Sequence, residues 1–431
     1  MIRARKPGLL ISLGIWVAAC ARSVPPSEPL VSAPPPTPSQ PTPAPPDTSA
    51  VPSLPADTGI VIAGAEPHVD SLRADSLKAL TEVDTVTAVV TAATPRTVRV
   101  CAGGDVLLGN NLDTTWAVRA SGRLGRAVSS TPDPDPLLAP LRPLVADADI
   151  VLLNIEGAIG EGPASSKCRT GSRNCYAFRQ PPGVAYALRQ VAGGAELVGN
   201  VANNHAMDAG HLGFQATQQH LADADVHVVG ADTTATTVVT PDGDSVAFLG
   251  FSTAQAGPDP RNLAAVRRHV ARAAADHPLV VVTMHMGAEG VQAQRTPAAS
   301  EQYLGEDRGN SVAFAHTAVD AGASVVIGHG PHVMRAAEWY RESLVLYSLG
   351  NLLTYGPFSL VEPLNRGGIA CVMLAPDGSV KDAVFRSTLQ RPPGIVQPDP
   401  TGRAAWLVDS LSQLDFPGSA ARLHGGAVIR R

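Results

Sequence analysis

An α/β fold with a parallel β-sheet core is predicted for residues 96–390 by two patterns in the sequence. Short apolar runs rich in Val and Ile recur along this region, and each is too short for a helix, as expected for buried parallel strands. Longer amphipathic stretches separate several of these runs, which favours a parallel sheet with right-handed crossovers and helices on both outer faces. A region of roughly 300 residues is long for one domain but can still form a single core.

The predicted elements are taken in chain order from these two patterns. The β-branched runs that predict strands cover residues 98–102, 150–154, 196–202, 226–229, 246–251, 280–285, 324–327, 344–348 and 369–374. The amphipathic stretches that predict helices cover residues 137–147, 184–191, 212–222, 263–275 and 311–321. The late strands are closely spaced, so some of them could pair antiparallel. Residues 391–431 are rich in Pro and Ala with one helical patch at 407–414, and we expect this tail to pack peripherally.

The N-terminus predicts secretion and lipid attachment. Arg3, Arg5 and Lys6 precede an apolar stretch at residues 9–19 that is too short to span a bilayer. The stretch ends in Val-Ala-Ala before Cys20, which is similar to a bacterial lipobox. We therefore expect a signal peptide at 1–19 and an acylated Cys20 that anchors the protein to a membrane in the cell envelope, on the periplasmic or outer-membrane side. The alternative is an ordinary signal peptide followed by an incidental cysteine.

Residues 20–95 are predicted to be a disordered tether between this anchor and the folded region. Thirteen prolines lie between Pro25 and Pro55, interleaved with Ser, Thr and Ala. Such a segment buries too little apolar surface to fold and prefers extended polyproline conformations. The whole chain has a formal net charge of −5 and no basic run. This charge argues against nucleic acid as the partner.

The remaining cysteines divide into two groups. Cys168 and Cys175 lie in a polar segment after the second predicted strand, and in an oxidising envelope we expect a disulfide between them. A zinc site is the weaker alternative, because only two thiols are near each other. Cys101 and Cys371 lie in apolar strands, where cysteines are most often simply buried.

Polar side chains follow five of the predicted strands and together predict a metal site. The carboxyl ends of parallel strands gather at one edge of an open α/β sheet, where ligands bind. Carboxylate, amide and imidazole groups brought together there suit a divalent ion, and Mn²⁺, Fe or Zn²⁺ fits them better than Ca²⁺. The residues are Asp105, Glu156, Asn204, His205, His285, His329 and His332.

Each cluster taken alone has a plainer interpretation as well. Glu156 also fits a salt-bridge partner, and His285 fits a hydrogen-bonded core histidine. The pair Asn204-His205 and the two histidines His329 and His332, held three apart by Gly and Pro, point more specifically to ligands. It is the coincidence of all five clusters at strand ends that favours a metal site.

Six motifs in a fixed order resemble one known family. They are GDVLLG, NIEG, NNHAMDAG, HMGAE, GASVVIGHGPHV and YSLGN, and they extend over about residues 98–375. This order resembles the CapA family of capsule and poly-γ-glutamate synthesis proteins, which belongs by fold to the calcineurin-like metallophosphoesterases. The resemblance implies an α/β sandwich in which helices lie outside two mixed β-sheets. It also implies a metal edge built from the seven residues named above, with supporting or substrate-contacting roles for Asp208, Glu289, Glu338 and Asn351.

Three departures from the metallophosphoesterase pattern bear on the number of metal ions. The usual first motif is Asp-x-His, but the third position here is Leu107. The second motif usually supplies a bridging Asp, where this chain has Glu156, and the last motif, at 328–332, has one residue more than Gly-His-x-His. One histidine ligand is thereby lost, so the resemblance implies either two ions or one ion with a weak second site.

The resemblance implies a phosphoester hydrolase that serves envelope or polymer metabolism. A divalent ion would lower the pKa of a bound water and neutralise charge on phosphoryl oxygens. Asn204 would position metal and substrate, and His205 or His329 would protonate the leaving oxygen. Two alternatives are a protein that binds and assembles an anionic capsule polymer, and a non-catalytic envelope protein. The sequence has no Walker loop, so any role in polymer synthesis requires a ligase partner that supplies the ATP chemistry.

Overall fold

The computed structural model describes residues 96–108, 110–111, 134–163, 167, 176–356 and 358–429. The predicted signal peptide, the tether, Cys20, Cys168 and Cys175 lie outside these residues, so their predictions stay predictions. Within the described ranges, no helix is long and apolar enough to cross a membrane.

The described residues form many short strands and few helices. The strands are β1 (Val98–Leu107), β2 (Asn110–Asn111), β3 (Ile150–Ile155), β4 (Ala158–Ile159), β5 (Phe178–Gln180), β6 (Glu196–Asn200), β7 (His227–Val229), β8 (Thr236–Val239), β9 (Ser245–Ser252), β10 (Leu279–His285), β11 (Glu301–Tyr303), β12 (Glu306–Gly309), β13 (Val325–His329), β14 (Ala337–Tyr340), β15 (Ser343–Leu346), β16 (Asn351–Thr354), β17 (Arg366–Leu374), β18 (Val380–Arg391), β19 (Ile395–Pro398), β20 (Arg422–His424) and β21 (Ala427–Ile429). The helices are α1 (Pro134–Leu138), α2 (Gly183–Ala192), α3 (Gly210–Asp223), α4 (Leu263–Asp276), α5 (Ser311–Asp320) and α6 (Arg403–Asp415), and a 3₁₀ helix covers Ala139–Leu144.

Two mixed sheets carry the fold. The larger has ten strands in the order β20-β21-β18-β17-β1-β3-β6-β7, with β16 paired to β1 and β19 paired to β18. Its strands β1, β3, β6 and β7 are parallel, whereas β17 runs antiparallel to β1. The smaller has six strands in the order β14-β15-β13-β10-β9-β8, with a parallel centre and antiparallel edges.

Alternating side chains on each strand build the layers. On β1, Val98, Val100 and Ala102 pack into a core that also contains Phe248 of β9 and Val281 of β10, so this core lies between the two sheets. The outer face of the larger sheet packs on α1, α2 and α3, and that of the smaller sheet packs on α4 and α5. The predicted α/β sandwich, with helices outside two mixed sheets, is confirmed.

The segment after residue 390 differs from the peripheral tail that we expected. Strands β19 and β21 both pair with β18 of the larger sheet, and Ala404 and Val408 of α6 are buried in the core between the sheets. We expected a peripheral tail because the segment is rich in Pro and Ala. Alanine, however, also packs closely in a core wherever two backbones approach each other. This segment therefore forms part of the folded unit.

A second difference concerns the predicted helix at 137–147. The chain forms the short helix α1 and then the 3₁₀ helix instead, with Pro143 inside the latter. Proline removes a hydrogen-bond donor and clashes with the preceding turn, so the α-helix cannot continue.

Cys101 and Cys371 are buried as expected, but they are not the simple buried thiols that the sequence predicted. They form a disulfide between β1 and β17, with a sequence separation of 270 residues. The two residues face each other in the antiparallel register of these strands, and both are fully buried. Their distance along the chain hid the pairing, because only the sheet topology brings the first strand against a strand near the end.

Candidate metal centre

The ends of parallel strands from both sheets deliver the predicted ligands. Asp105 lies near the end of β1, Glu156 directly follows β3, and Asn204 and His205 lie in the turn after β6. From the smaller sheet, His285 and His329 are the last residues of β10 and β13, where they are register partners, and His332 follows in the next turn. Gly104 allows β1 to approach Gly350 here, because a Cβ at residue 104 would clash with the Gly350 carbonyl oxygen.

Asp105 is the fully buried anchor of the site. Its Oδ1 accepts a hydrogen bond from Asn154 Nδ2 at 2.8 Å and lies 3.7 Å from His329 Nδ1. Its Oδ2 accepts from His332 Nδ1 at 2.9 Å. Burial by itself would raise the pKa of Asp105, but the hydrogen bond and the charge of His332 outweigh it and lower that pKa to about 2. Asp105 is therefore an ionised carboxylate at neutral pH.

Glu156 and His285 face the same space as Asp105. Ligand atoms of these three residues all lie within 4.8 Å of one another. Glu156 Oε1 lies 3.7 Å from His285 Nε2 and 3.6 Å from His332 Nε2. Burial raises the pKa of Glu156 well above its usual range and lowers the pKa of His285 well below its usual range. Two adjacent buried carboxyl groups and a neutral imidazole are a donor set that a cation would stabilise.

His329, at the end of β13, and His332, in the turn after it, differ in their surroundings. His329 is fully buried, and burial lowers its pKa to about 4, so the ring is neutral. His332 has a φ of 59°, in the left-handed region that few residues other than glycine adopt. Burial opposes protonation of His332, but the charge of Glu156 and the bond to Asp105 outweigh it, so the pKa of His332 lies well above its usual range.

Buried polar atoms that lack a hydrogen-bond partner indicate whether these residues fit a metal. In the described part of the chain, Glu156 Oε1, His285 Nε2, both ring nitrogens of His329 and Asn204 Oδ1 are buried without a hydrogen-bond partner. Buried polar atoms normally have partners, because leaving one without a partner costs about 1–3 kcal/mol. A bound divalent ion would satisfy oxygen and imidazole donors of this kind, so the residues fit the predicted metal.

Asn204 and His205 have different surroundings. The Nδ2 of Asn204 donates to Glu289 Oε1 at 3.4 Å, which connects this residue to the metal edge. His205 Nδ1 lies 2.6 Å from Asp208 Oδ2, and the imidazole packs on the Phe178 ring at 4.2 Å between centroids. Burial lowers the pKa of His205, although Asp208 opposes this effect. His205 is thus held by Asp208, apart from the Asp105, Glu156 and His285 group.

The remaining predicted residues fall into two places. Glu289 Oε2 lies 3.7 Å from His332 Nε2, and Asn351 Oδ1 lies 3.1 Å from His332 Nδ1, so both border the metal edge. Glu338 instead accepts hydrogen bonds from Tyr347 and Ser419 and contacts His316, in a separate group.

Two further residues support the site without having been predicted from the sequence. Asn200 Nδ2 donates to Asn154 Oδ1 at 2.9 Å, and Asn154 in turn holds Asp105. Asn200 ends a buried strand, so the criterion that found the other residues also applies to it. Arg308 Nη1 donates to Glu289 Oε1 at 2.6 Å from the β11–β12 hairpin, and no pattern in the sequence marks this arginine.

A family model described as bacterial capsule synthesis protein PGA_cap matches residues 99–355, more than half of the chain. The chain belongs to this family. The predicted CapA resemblance is confirmed, and the family lies within the metallophosphoesterase-like superfamily. The matched region contains every residue of the candidate metal edge, from Asp105 in β1 to Asn351 in β16.

Relatives carry names from the same area of biology. The capsule biosynthesis protein CapA of Bacillus anthracis is 30% identical over 173 residues, which cover 36% of this chain and 39% of that protein. A probable polyglutamine synthesis accessory protein of Mycobacterium tuberculosis is 27% identical over 310 residues, covering 61% of this chain and 76% of that protein. The chain therefore spans well under half the length of the Bacillus relative.

One solved structure is also similar. It is a 5'-nucleotidase precursor from Thermus thermophilus, with a TM-score of 0.36 and 15% sequence identity, and the match covers 74% of this chain and 59% of that chain. A likeness at this level supports no inference about activity.

Proposed function

We propose that this member of the capsule synthesis family is a metal-dependent hydrolase of phosphoester type. The main observation behind the proposal is a set of buried atoms that could ligate a metal and have no hydrogen-bond partner. They belong to Glu156, His285, His329 and Asn204, and the ionised Asp105 lies at the same edge. Asp105, Glu156, His285 and His329 would hold one divalent ion, and Asn204 and His332 border a place for a second. Mn²⁺, Fe or Zn²⁺ suits these donors.

The chemistry would divide between the metal and the pair of His205 and Asp208. When bound, the metal would supply an activated water and neutralise charge on phosphoryl oxygens. In the hydrolysis step, the water oxygen would bond to phosphorus and release its proton to solvent as the bond from phosphorus to the leaving oxygen breaks. Protonated His205 would give its Nε2 proton to that leaving oxygen and regain one from solvent. Asp208 Oδ2 accepts a hydrogen bond from His205 Nδ1–H, which fixes the ring and stabilises its charged form. Arg308 holds Glu289 beside His332.

The N-terminal sequence supports a location in the cell envelope. A signal peptide at 1–19, an acylated Cys20 and a Pro-rich tether over 20–95 would anchor the protein to a membrane. At about 3 Å per extended residue, such a tether reaches far from the bilayer. The partners proposed with this location are an anionic polymer or phosphoester and a capsule synthesis ligase complex, and nucleic acid is not among them.

A second candidate function is binding and assembly of an anionic capsule polymer, with the metal contacting carboxylates and no cleavage. Leu107 favours this candidate, because it is buried where the superfamily pattern has a histidine ligand, which weakens a two-metal centre. Relatives named as synthesis accessory proteins agree with it as well.

Metal content and turnover together test the proposal. The full chain, the variant His285→Ala and the control His211→Ala, an exposed histidine on α3, would be measured by metal mass spectrometry and assayed on a phosphomonoester and a phosphodiester. We expect near-stoichiometric metal and turnover in the wild type and the control, and loss of both in His285→Ala. Metal without turnover would favour polymer binding. Absence of metal even after addition of Mn²⁺ or Zn²⁺ would overturn both functions.

A further inference from the structure

Three aromatic side chains form a continuous surface next to His205. We call Tyr176, Phe178 and Phe358 the aromatic wall. Ring centroids are 6.2 Å apart for Tyr176 and Phe178, 6.5 Å for Tyr176 and Phe358, and 5.5 Å for Phe178 and Phe358. These separations are in the range of interacting aromatic pairs, so the three rings act as one surface.

The aromatic wall is fixed to the His205–Asp208 pair. The Phe178 ring packs 4.2 Å from the His205 ring, and the Phe178 backbone N–H donates to Asp208 Oδ2 at 2.7 Å. Phe178 therefore contacts both the imidazole and the carboxylate that orients it. A group bound against the wall would lie next to His205.

Exposure of the rings increases from Phe178, which contacts His205, to Tyr176. Phe178 is buried, Phe358 is half-buried, and Tyr176 is 39% exposed. The wall thus leads from the buried imidazole to solvent. An exposed aromatic ring that continues a buried aromatic cluster can accept the flat face of a bound molecule.

We propose that the aromatic wall binds the leaving group of the substrate, and that this leaving group carries a ring, either a sugar or an aromatic ring. This inference rests on the proposed function, which places the phosphoryl group at the metal edge, where Asn204, the neighbour of His205, contacts Glu289. A leaving group that extends from this edge toward His205 would lie against Phe178 and its neighbours. The substrate class is then a ring-bearing phosphoester rather than an acyclic one.

Kinetics with three phosphomonoesters would test the ring preference. Phenyl phosphate, a hexose phosphate and glycerol phosphate would be compared for the wild type, Tyr176→Ala, Tyr176→Phe and the control Tyr186→Ala, an exposed tyrosine on α2. We expect Tyr176→Ala to raise KM for a ring-bearing ester about three- to tenfold with little change in kcat, and to leave glycerol phosphate unaffected. Tyr176→Phe and Tyr186→Ala should match the wild type.

Which ester responds identifies the ring. A KM increase confined to the hexose phosphate indicates a sugar ring, and one confined to phenyl phosphate indicates an aromatic ring. Equal KM values for all three esters in wild type and Tyr176→Ala would overturn the inference while leaving the proposed hydrolase intact.

A binding experiment with compounds that are not hydrolysed tests this inference independently of the proposed function. Calorimetric titration of the metal-loaded wild type with phenylphosphonate and methylphosphonate, which are not hydrolysed, should show tighter binding of the phenyl compound. Tyr176→Ala should lose this preference. If no phosphoester is turned over, the proposed function fails, and the phosphonate preference still decides whether the wall binds a ring. Equal affinity of the wild type for both phosphonates would contradict the inference.

Discussion

At the residue scale, the candidate site is defined by side chains whose polar atoms are buried but not satisfied. Buried polar groups occur all along the described chain, and most of those at the strand ends are hydrogen-bonded, as with Asp105 and Asn154. Among the buried atoms without a partner in the described chain, Glu156 Oε1, His285 Nε2 and the His329 nitrogens lie together beside Asp105. A protein without a ligand for these atoms would lose stability at each of them. Their grouping is therefore better explained by an ion than by packing.

Asp208 provides a test of the residue-scale chemistry. We expect Asp208→Asn to lower kcat on a phosphoester by about 10²–10⁴-fold, because the amide no longer stabilises the charged imidazole of His205. Its Oδ1 can still accept from the Phe178 N–H, so the fold and the bound metal should be retained. The measurements are kcat and metal content, with Asp223→Asn on α3 as a matched control. Loss of metal in Asp208→Asn would show that the pair supports the metal instead of the proton transfer.

At the element scale, ion pairs join segments that are distant in sequence. Arg386 on β18 contacts both carboxylate oxygens of Asp147, which precedes β3, at 2.7 Å. The hydrogen bond from Arg386 lowers the pKa of Asp147 from its usual value. Because Asp147 is half exposed, solvent screens much of this interaction, and a bidentate pair of this kind contributes about 0.5–1 kcal/mol.

The pH dependence of stability follows from this shift. The lowered folded-state pKa of Asp147 means that its contribution is fully present above the unfolded value, about 3.9, and is lost as the pH falls through the folded value. We expect Asp147→Asn to reduce the free energy of unfolding by up to about 1 kcal/mol at pH 7 and to have no effect at pH below the folded pKa. Denaturant unfolding at several pH values measures this. A loss independent of pH would assign the effect to packing.

At the scale of the whole molecule, the chain returns to its first strand near its end. Strand β17 pairs with β1, β18 follows β17, and the segment with β19, α6, β20 and β21 closes the edge of the larger sheet. The Cys101–Cys371 disulfide fixes this return covalently. The strands β1 and β3, which position Asp105 and Glu156, therefore lie in the middle of the larger sheet, which the C-terminal strands complete.

The disulfide should contribute to global stability. A cross-link between residues separated by 270 positions restricts the unfolded chain strongly, and native disulfides commonly contribute about 2–4 kcal/mol. We expect the double variant Cys101→Ala/Cys371→Ala to lose about this much in urea unfolding under oxidising conditions. Reductant present during refolding should destabilise the wild type by about this amount more than the double variant, in which only the predicted short-loop disulfide Cys168–Cys175 can be reduced. An equal effect of reductant on both proteins would mean that another thiol pair is responsible.

Much of the fold and of the site could be predicted from local patterns in the sequence. Strands such as β3 and β10 were predicted within one residue of their bounds, because a buried parallel strand is a short β-branched run whatever its neighbours are. Asp105, Glu156, His285 and His329 were found because each terminates such a run. The role of Arg308 and the separate position of Glu338 could not be predicted from the sequence. They depend on a hairpin and an edge strand whose positions in space no local sequence pattern encodes.

The sequence by itself determined the α/β class, the family and the residue types that gather at the strand ends. These follow from short-range periodicity, strand length and motif order, which the chain carries locally. Only the tertiary structure decided that Cys101 pairs with Cys371, that the Pro- and Ala-rich segment joins the sheet, and that His205 is held by Asp208 and Phe178. Each of these depends on contacts between residues far apart in sequence or on the direction of a side chain, and both are fixed by how the two sheets pack.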